Sequence, residues 1–269
     1  MAMNTLPPEI WLLVKDAIPL SDMRTHVSFY QAAPSFAALY DTVADPDAFW
    51  EDVCTMCAIG RFPDEHPSVL SWKDIAVECI TVDGFCEGSS KHPCGEVLLQ
   101  RNRDMMRECA LRTHKAAASG ETTAIETNKL LRRDYYGDLA PEADKKLHPL
   151  CARSYATFPG IKHCVADGDW GRELRSSKLQ SDYAITVHDV LRAIQADIAE
   201  PLRVGELLEY LEDHEHCALH ALSYRGVRGT LDRLRTLGDV LQTCYVKEVK
   251  VVDCTQLQNG AYNIMFYLK

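Results

Sequence analysis

Prolines divide the first 60 residues into short segments, and this punctuation limits them to small helices with tight joints. Pro7 and Pro8 precede the first segment, Pro19 ends it, Pro34 interrupts a later one, and Pro46 opens the last. Proline suits the first turn of a helix and breaks its interior. Apolar residues recur at helix spacing within the segments, which predicts three or four short helices. In the first segment the repeating residues are Ile10, Leu13, Val14, Ala17 and Ile18.

The apolar stripe of the first helix admits two interpretations. It can pack inside a helical subdomain, or it can insert into a groove on a partner protein. Small helices of this kind bury little surface alone, so they would gain from docking. The first 60 residues also carry eight acidic and only two basic residues, a balance that is typical of a solvated acidic helix face.

Residues 61–136 are predicted to form a helical and irregular extension of this first part, residues 1–60. One short amphipathic segment, Ser71–Val77, lies in an otherwise irregular run, and a cluster of Gly, Ser, His and Pro follows it as a loop. Helical spacing returns over residues 96–136. Residues 137–146 have the composition of a surface connection, so we expect the domain boundary there.

Residues 147–269 combine helix and strand signals. Tyr183–Val187 is a candidate strand. Thr186 and Asp189 resemble a capping box that opens a helix. Runs of β-forming residues on both sides of Asn259-Gly260 predict a hairpin. The expected fold class is therefore α+β, with small helices first and a domain of mixed helices and antiparallel strands after them.

Charge and cysteine content narrow the class of protein. A net charge of −10 argues against general binding to the nucleic-acid backbone. The number of cysteines, 11, is odd, so they cannot all form intramolecular disulfides, and a reducing compartment, cytoplasmic or nuclear, fits them better. The sequence has no apolar run of about 18 residues and no signal peptide at its start, so we expect no membrane partner.

Two sets of cysteine and histidine are candidate metal ligands. The first set is His214, His216, Cys217 and His220. Two of its histidines are four residues apart and could face one metal ion from a helix, although a polar helix face with one buried cysteine explains the set as well. The second set is Cys54, Cys57, Cys79, Cys86, His92 and Cys94. Its spacing matches no familiar zinc site, so we predict no metal and no cofactor.

The markers of common enzyme chemistry are missing from the sequence. There is no Gly-x-Ser-x-Gly elbow of a serine hydrolase and no glycine-rich loop that would cradle a phosphate. Acidic residues are abundant but form no pair that could be assigned to acid–base catalysis. We therefore expect a protein that is not an enzyme.

Several segments of the first 55 residues match the pattern of one known motif. They are Leu6-Pro7-Pro8-Glu9-Ile10, Pro19-Leu20-Ser21-Asp22-Met23, Val27-Ser28 and Ala48-Phe49-Trp50-Glu51-Asp52-Val53-Cys54. Together they resemble the F-box, which begins with Leu-Pro-x-Glu-Ile/Leu. The segment Ser71-Trp72-Lys73-Asp74-Ile75-Ala76 is similar to the short Trp helix that often follows an F-box.

This resemblance implies a function in protein–protein recognition. An F-box docks on the Skp-type adaptor of a cullin-RING ubiquitin ligase, and the rest of the protein holds a protein substrate. The chain would then be the non-catalytic substrate-recognition subunit. Carried over by position, the docking residues are Leu6, Pro7, Ile10, Val14, Ile18, Leu20 and Met23.

The C-terminal half resembles a domain of unknown function that is widespread in fungi. The matching pieces are His148-Pro149-Leu150, Ile185-Thr186-Val187-His188-Asp189-Val190-Leu191 and Val251-Val252-Asp253. The resemblance implies a fungal origin and assigns no chemistry. Two alternatives to the ligase subunit stay open: a stand-alone interaction or scaffold protein, and a metal-dependent enzyme that uses the His214–His220 cluster.

Overall fold

The structure is a computed structural model and describes residues 6–82, 95–119, 125–132, 148–169, 174–201, 249–256 and 262–268. Its fold class is α+β, as the sequence predicted. The chain divides into two compact units. Unit 1 comprises Met1–Ala124 and Leu147–Tyr155, and unit 2 comprises Ile125–Lys146 and Ala156–Lys269.

Unit 1 begins with four short helices, which confirms the prediction from the prolines. They are α1 (Pro8–Ala17), α2 (Met23–Ala32), α3 (Pro34–Asp41) and α4 (Pro46–Met56). The Asp22 carboxylate caps α2 by accepting a hydrogen bond from the backbone N–H of Thr25 at 3.2 Å. The Asp45 carboxylate caps α4 by accepting one from Ala48 at 3.0 Å.

Aromatic rings from α2, α3 and α4 form the core beneath these helices. Tyr40 and Trp50 are fully buried and stack with ring centroids 5.2 Å apart. His26 meets both rings edge-on, and Phe49 packs between its neighbours at 5.4 Å from Tyr40. Such pairs add about 0.5–1.5 kcal/mol each beyond the area that they bury.

The end of α4 is closed by a left-handed residue that is not glycine. Ala58 has φ of 53° and is fully buried. The backbone N–H of Ile59 donates to Cys54 and that of Ala58 donates to Thr55, both at 2.9 Å. These two bonds satisfy carbonyls at the end of the helix in the Schellman arrangement. A residue with a Cβ in this conformation costs roughly 1–2 kcal/mol.

Two further helices extend unit 1, and both differ in length from the prediction. The short segment at Ser71–Val77 becomes α5 (Trp72–Thr81), which opens with a capping box between Ser71 and Asp74. The long helix α6 (Gly95–Ser119) ends well before residue 136. The expectation of helix over residues 96–136 is therefore wrong beyond Ser119, since a two-residue strand and a short 3-10 helix follow within unit 2.

The segment after residue 147 returns to unit 1 through α7 (Pro149–Arg153). Ile59 and Ser154 form an isolated antiparallel bridge, and the backbone N–H of Gly60 donates to Arg153 at 2.7 Å. Asn102 of α6 donates from its amide to the Ser154 hydroxyl at 3.0 Å. The observed units therefore divide the chain differently from the predicted boundary at residues 137–146, a stretch that lies outside the described ranges.

Unit 2 contains two small sheets. The strands β1 (Glu126–Thr127) and β2 (Thr157–Phe158) pair antiparallel. The second sheet has the strand order β4-β3-β6-β5, in which β3 and β6 are parallel and the other pairs are antiparallel. Its strands are β3 (His163–Asp169), β4 (Leu174–Gln180), β5 (Val249–Gln256) and β6 (Tyr262–Leu268). The pairing of β5 with β6 confirms the predicted hairpin, although Asn259-Gly260 falls outside the described residues.

Helix α8 (Val187–Ala199) packs against β3 and β4. The capping box is confirmed, because Asp189 accepts from the Thr186 backbone at 2.8 Å and donates its own N–H to the Thr186 hydroxyl at 3.2 Å. The strand predicted at Tyr183–Val187 is wrong. Ile185 does exchange backbone hydrogen bonds with neighbouring chain at 2.7 and 2.9 Å, but the capping box starts a helix at its last residue.

Candidate functional site

Helix α1 presents its aliphatic side chains to solvent and buries its only lysine. Leu13 is 64% exposed, whereas Lys15 is 5% exposed. In a surface helix of a globular protein the apolar stripe normally faces the core and the charged residues face water. The orientation of α1 is the reverse of this rule, so its exposed face is a candidate docking surface.

The exposed aliphatic residues have the spacing of one continuous helix face. We call Ile10, Leu13, Val14 and Ala17 the outward stripe; all four are exposed. Their spacing of i, i+3, i+4 and i+7 is the pattern by which a helix anchors in a groove of another protein. Leu6 before the helix and Leu20 after it are also exposed, at 48% and 40%.

The side chain of Lys15 enters a pocket between two aromatic rings. Its Nζ lies 5.4 Å from the centroid of Tyr40 and 5.2 Å from that of Phe49. A cation this close to a ring face is attracted by roughly 0.5–2 kcal/mol. The only ion pair given to Lys15 by the described residues is with the exposed carboxylate of Asp16 at 3.5 Å. We refer to this arrangement of Lys15, Tyr40 and Phe49 as the Lys15 pocket.

Trp11 holds the same side of α1 against the aromatic core. Its ring lies 4.7 Å from the ring of Phe36 and 6.2 Å from that of Phe29. Trp11 and Lys15 are four residues apart and therefore share one helix face. Because that face is inward, the outward stripe is held toward solvent.

The joint between α1 and α2 is fixed to the rest of unit 1 through the carbonyl of Ser21. This oxygen accepts from the Cys57 thiol and from Nη1 of Arg103, each at 3.3 Å. Arg103 also pairs with Glu96 at 3.1 Å, and Glu96 pairs with Arg24 at 2.8 Å. The position of Leu20 beside the outward stripe is consequently set by contacts with α4 and α6.

The structure distributes the seven docking residues predicted from the sequence between surface and core. The exposed residues are Leu6, Pro7, Ile10, Val14 and Leu20. Ile18 is half-buried, and Met23 is 1% exposed in the core of unit 1. Leu13 and Ala17 were not among the seven, although their helix spacing in the sequence already placed them in the same stripe.

Buried thiols fill the space between α4 and α5. Cys54, Cys57 and Cys79 are each fully buried and unpaired with another cysteine. Burial raises the pKa of the Cys57 thiol to about 11 and also raises the pKa of Cys54 and Cys79. A thiol with a raised pKa stays protonated at neutral pH and is a poor nucleophile and metal ligand.

The described residues contain no group of three or more His, Cys, Asp or Glu side chains arranged to hold a metal ion. Cys86, His92 and Cys94 of the second candidate set lie outside those residues. The whole first set, His214, His216, Cys217 and His220, also lies outside them.

Comparisons with protein-family models, curated proteins and solved structures find no match to this chain. Among the helices that the structure describes, none combines the length and the apolar character needed to cross a membrane. The argument for function therefore depends on the geometry of α1 and its surroundings.

Proposed function

We propose that the chain is a non-catalytic, F-box-type substrate-recognition subunit of a cullin-RING ubiquitin ligase, and that it docks through α1 on a Skp-type adaptor. The observation that supports this most is the outward orientation of the stripe formed by Ile10, Leu13, Val14 and Ala17. An exposed aliphatic stripe with four regularly spaced residues is what a hydrophobic groove on a partner would receive.

The surroundings of the stripe support docking of a preformed surface. Trp11 and Lys15 fix the rotation of α1, and the bonds to the Ser21 carbonyl fix the following joint. A surface that is already ordered loses less conformational entropy when it binds. Under this proposal unit 2 contributes to holding a protein substrate, and the protein acts in the cytoplasm or nucleus, where such ligases operate.

The test is co-expression of the full chain with a Skp-type adaptor, followed by affinity capture and measurement of the dissociation constant. Leu13→Glu would place a carboxylate in the bound groove, where both the lost apolar burial and the desolvated charge oppose binding. Burial of one leucine is worth about 1.5–3 kcal/mol, so the affinity should fall by at least about tenfold.

The matched control is Leu111→Glu. Leu111 lies on the long helix α6 and is 59% exposed, close to the 64% of Leu13. We expect this control to bind the adaptor with wild-type affinity. The proposal fails if the wild-type chain does not capture the adaptor, or if the two variants lose the same affinity.

A further inference from the structure

The Lys15 pocket adjoins a second group that can carry a positive charge. His26 of α2 is 1% exposed, and its ring lies edge-on at 5.9 Å from Tyr40 and 5.2 Å from Phe49. These are the same two rings that receive the ammonium of Lys15. One buried aromatic cluster therefore borders both a permanent cation and a group that titrates near neutral pH.

The hydrogen bonding of His26 suits a neutral imidazole. Its Nδ1 lies 3.0 Å from the hydroxyl of Tyr40, and its Nε2 is buried without a hydrogen-bond partner. Tyr40 is fully buried, and its raised pKa keeps the hydroxyl protonated and able to donate to Nδ1. A protonated ring would carry a proton on Nδ1 and could no longer accept this bond.

The charged and titratable groups that face His26 come from three elements. Lys15 faces it from α1, Asp22 from the start of α2 and Tyr40 from α3, while α4 contributes uncharged rings. Burial lowers the pKa of His26 most, and the charge of Lys15 lowers it further. The backbone carbonyls of Pro19 and Ile18 and the carboxylate of Asp22 oppose these effects without reversing them.

We propose that the Lys15 pocket is a proton-sensitive contact: Lys15 and His26 cannot both be charged inside it, so proton uptake by His26 releases α1 from unit 1. The contact is intact when the imidazole is neutral. Because a released His26 titrates near its ordinary value, the released form gains stability as the pH falls below about 6.5. The ratio of released to docked α1 can rise by at most about tenfold per pH unit.

Release of α1 would also remove the ordered docking surface, a consequence that rests on the proposed function. The contact itself can be tested without an adaptor. Failure of the experiment below would therefore leave the ligase proposal standing, and failure of adaptor capture would leave the contact standing.

The experiment uses the full chain labelled with 5-fluorotryptophan and followed by fluorine NMR from pH 8 to pH 5. The chain has four tryptophans, so each resonance can be assigned by a single Trp→Phe substitution. Trp11 reports on α1, because its ring packs on Phe29 and Phe36. Trp50 is 1% exposed in the core and serves as the internal reference.

We expect the Trp11 resonance to move in a one-proton transition below pH 6.5 while the Trp50 resonance stays in place. His26→Gln should abolish the transition, since the glutamine amide can still accept from Tyr40 but takes up no proton. Lys15→Met should raise the midpoint by about 0.5 pH unit, a roughly threefold gain in proton affinity, because a like charge is removed. His66→Gln changes an exposed histidine and should leave the midpoint unchanged.

The proposal is overturned if Trp11 shows no transition down to pH 5, or if Trp50 moves together with Trp11 as in global unfolding. It is equally overturned if the transition persists in His26→Gln or if Lys15→Met keeps the wild-type midpoint. Should His26→Gln not fold, the comparison of Lys15→Met with the wild type decides alone.

Discussion

Replacement of Arg153 by methionine should destabilise unit 1 more than any single surface change. The guanidinium donates to both carboxylate oxygens of Glu65, at 2.8 and 2.6 Å, and to Glu78 at 3.0 Å. It also lies 4.3 Å from the centroid of the Phe62 ring. The Arg153 side chain is 4% exposed and that of Glu65 is 18% exposed, so the variant leaves a largely buried carboxylate without its cation.

The magnitude follows from this burial. Removal of one partner from a fully buried ion pair costs about 3–5 kcal/mol. The cost here should be smaller, about 2–3 kcal/mol, because Glu65 keeps a hydrogen bond from the backbone N–H of Phe62 at 3.0 Å and Glu78 is 44% exposed. With a urea m-value of about 1–3 kcal/mol/M, the unfolding midpoint should fall by roughly 1–2 M.

Urea unfolding followed by tryptophan fluorescence measures this change, because three of the four tryptophans lie in unit 1. Arg24→Met is the matched control: Arg24 pairs with Glu96 at 2.8 Å, but both side chains are exposed, at 39% and 52%. Exposed pairs contribute at most about 1 kcal/mol. Adding Glu65→Met to Arg153→Met should recover part of the loss. Equal losses for Arg153→Met and Arg24→Met, or a double variant less stable than Arg153→Met, would refute the reasoning.

Two further predictions concern the same unit. Ala58→Gly should leave the free energy of unfolding unchanged or raise it by up to about 1 kcal/mol, since relief of the left-handed conformation outweighs the loss of one buried methyl group, whereas Ala58→Val should lower it by at least about 2 kcal/mol; chemical denaturation measures both, and a stabilising valine would contradict the account. A chain that ends at residue 136 lacks α7 and should unfold without a cooperative transition, whereas a chain that ends at residue 155 should keep one; circular dichroism during urea titration compares the two, and equal behaviour would contradict the role given to α7.

Local signals in the sequence were enough to predict the first four helices. Their prolines and the caps at Asp22 and Asp45 act within a few residues, so no distant contact is needed to locate them. The same holds for the capping box at Thr186, which outweighed the β-forming residues just before it. Local signals conflict at Tyr183–Val187, and the cap decided the outcome there.

The parts that sequence reasoning missed depend on distant segments. The strand β3 pairs in parallel with β6, so Cys164 lies opposite Tyr262 across almost 100 residues of chain. Periodicity likewise identified the stripe on α1 but not the side that it faces. That orientation is set by an aromatic pocket supplied by α3 and α4, and nothing within residues 8–17 specifies it.

The return of α7 to unit 1 has a consequence for synthesis on the ribosome. The nascent chain completes α6 at Ser119, but Arg153 reaches Glu65 only about 36 residues later. At a translation rate of about 5–20 residues per second, unit 1 stays incomplete for roughly 2–7 s. During that interval the outward stripe is already made while its supporting unit is unfinished, so we expect chaperones that bind aliphatic segments to meet the nascent chain at this stage.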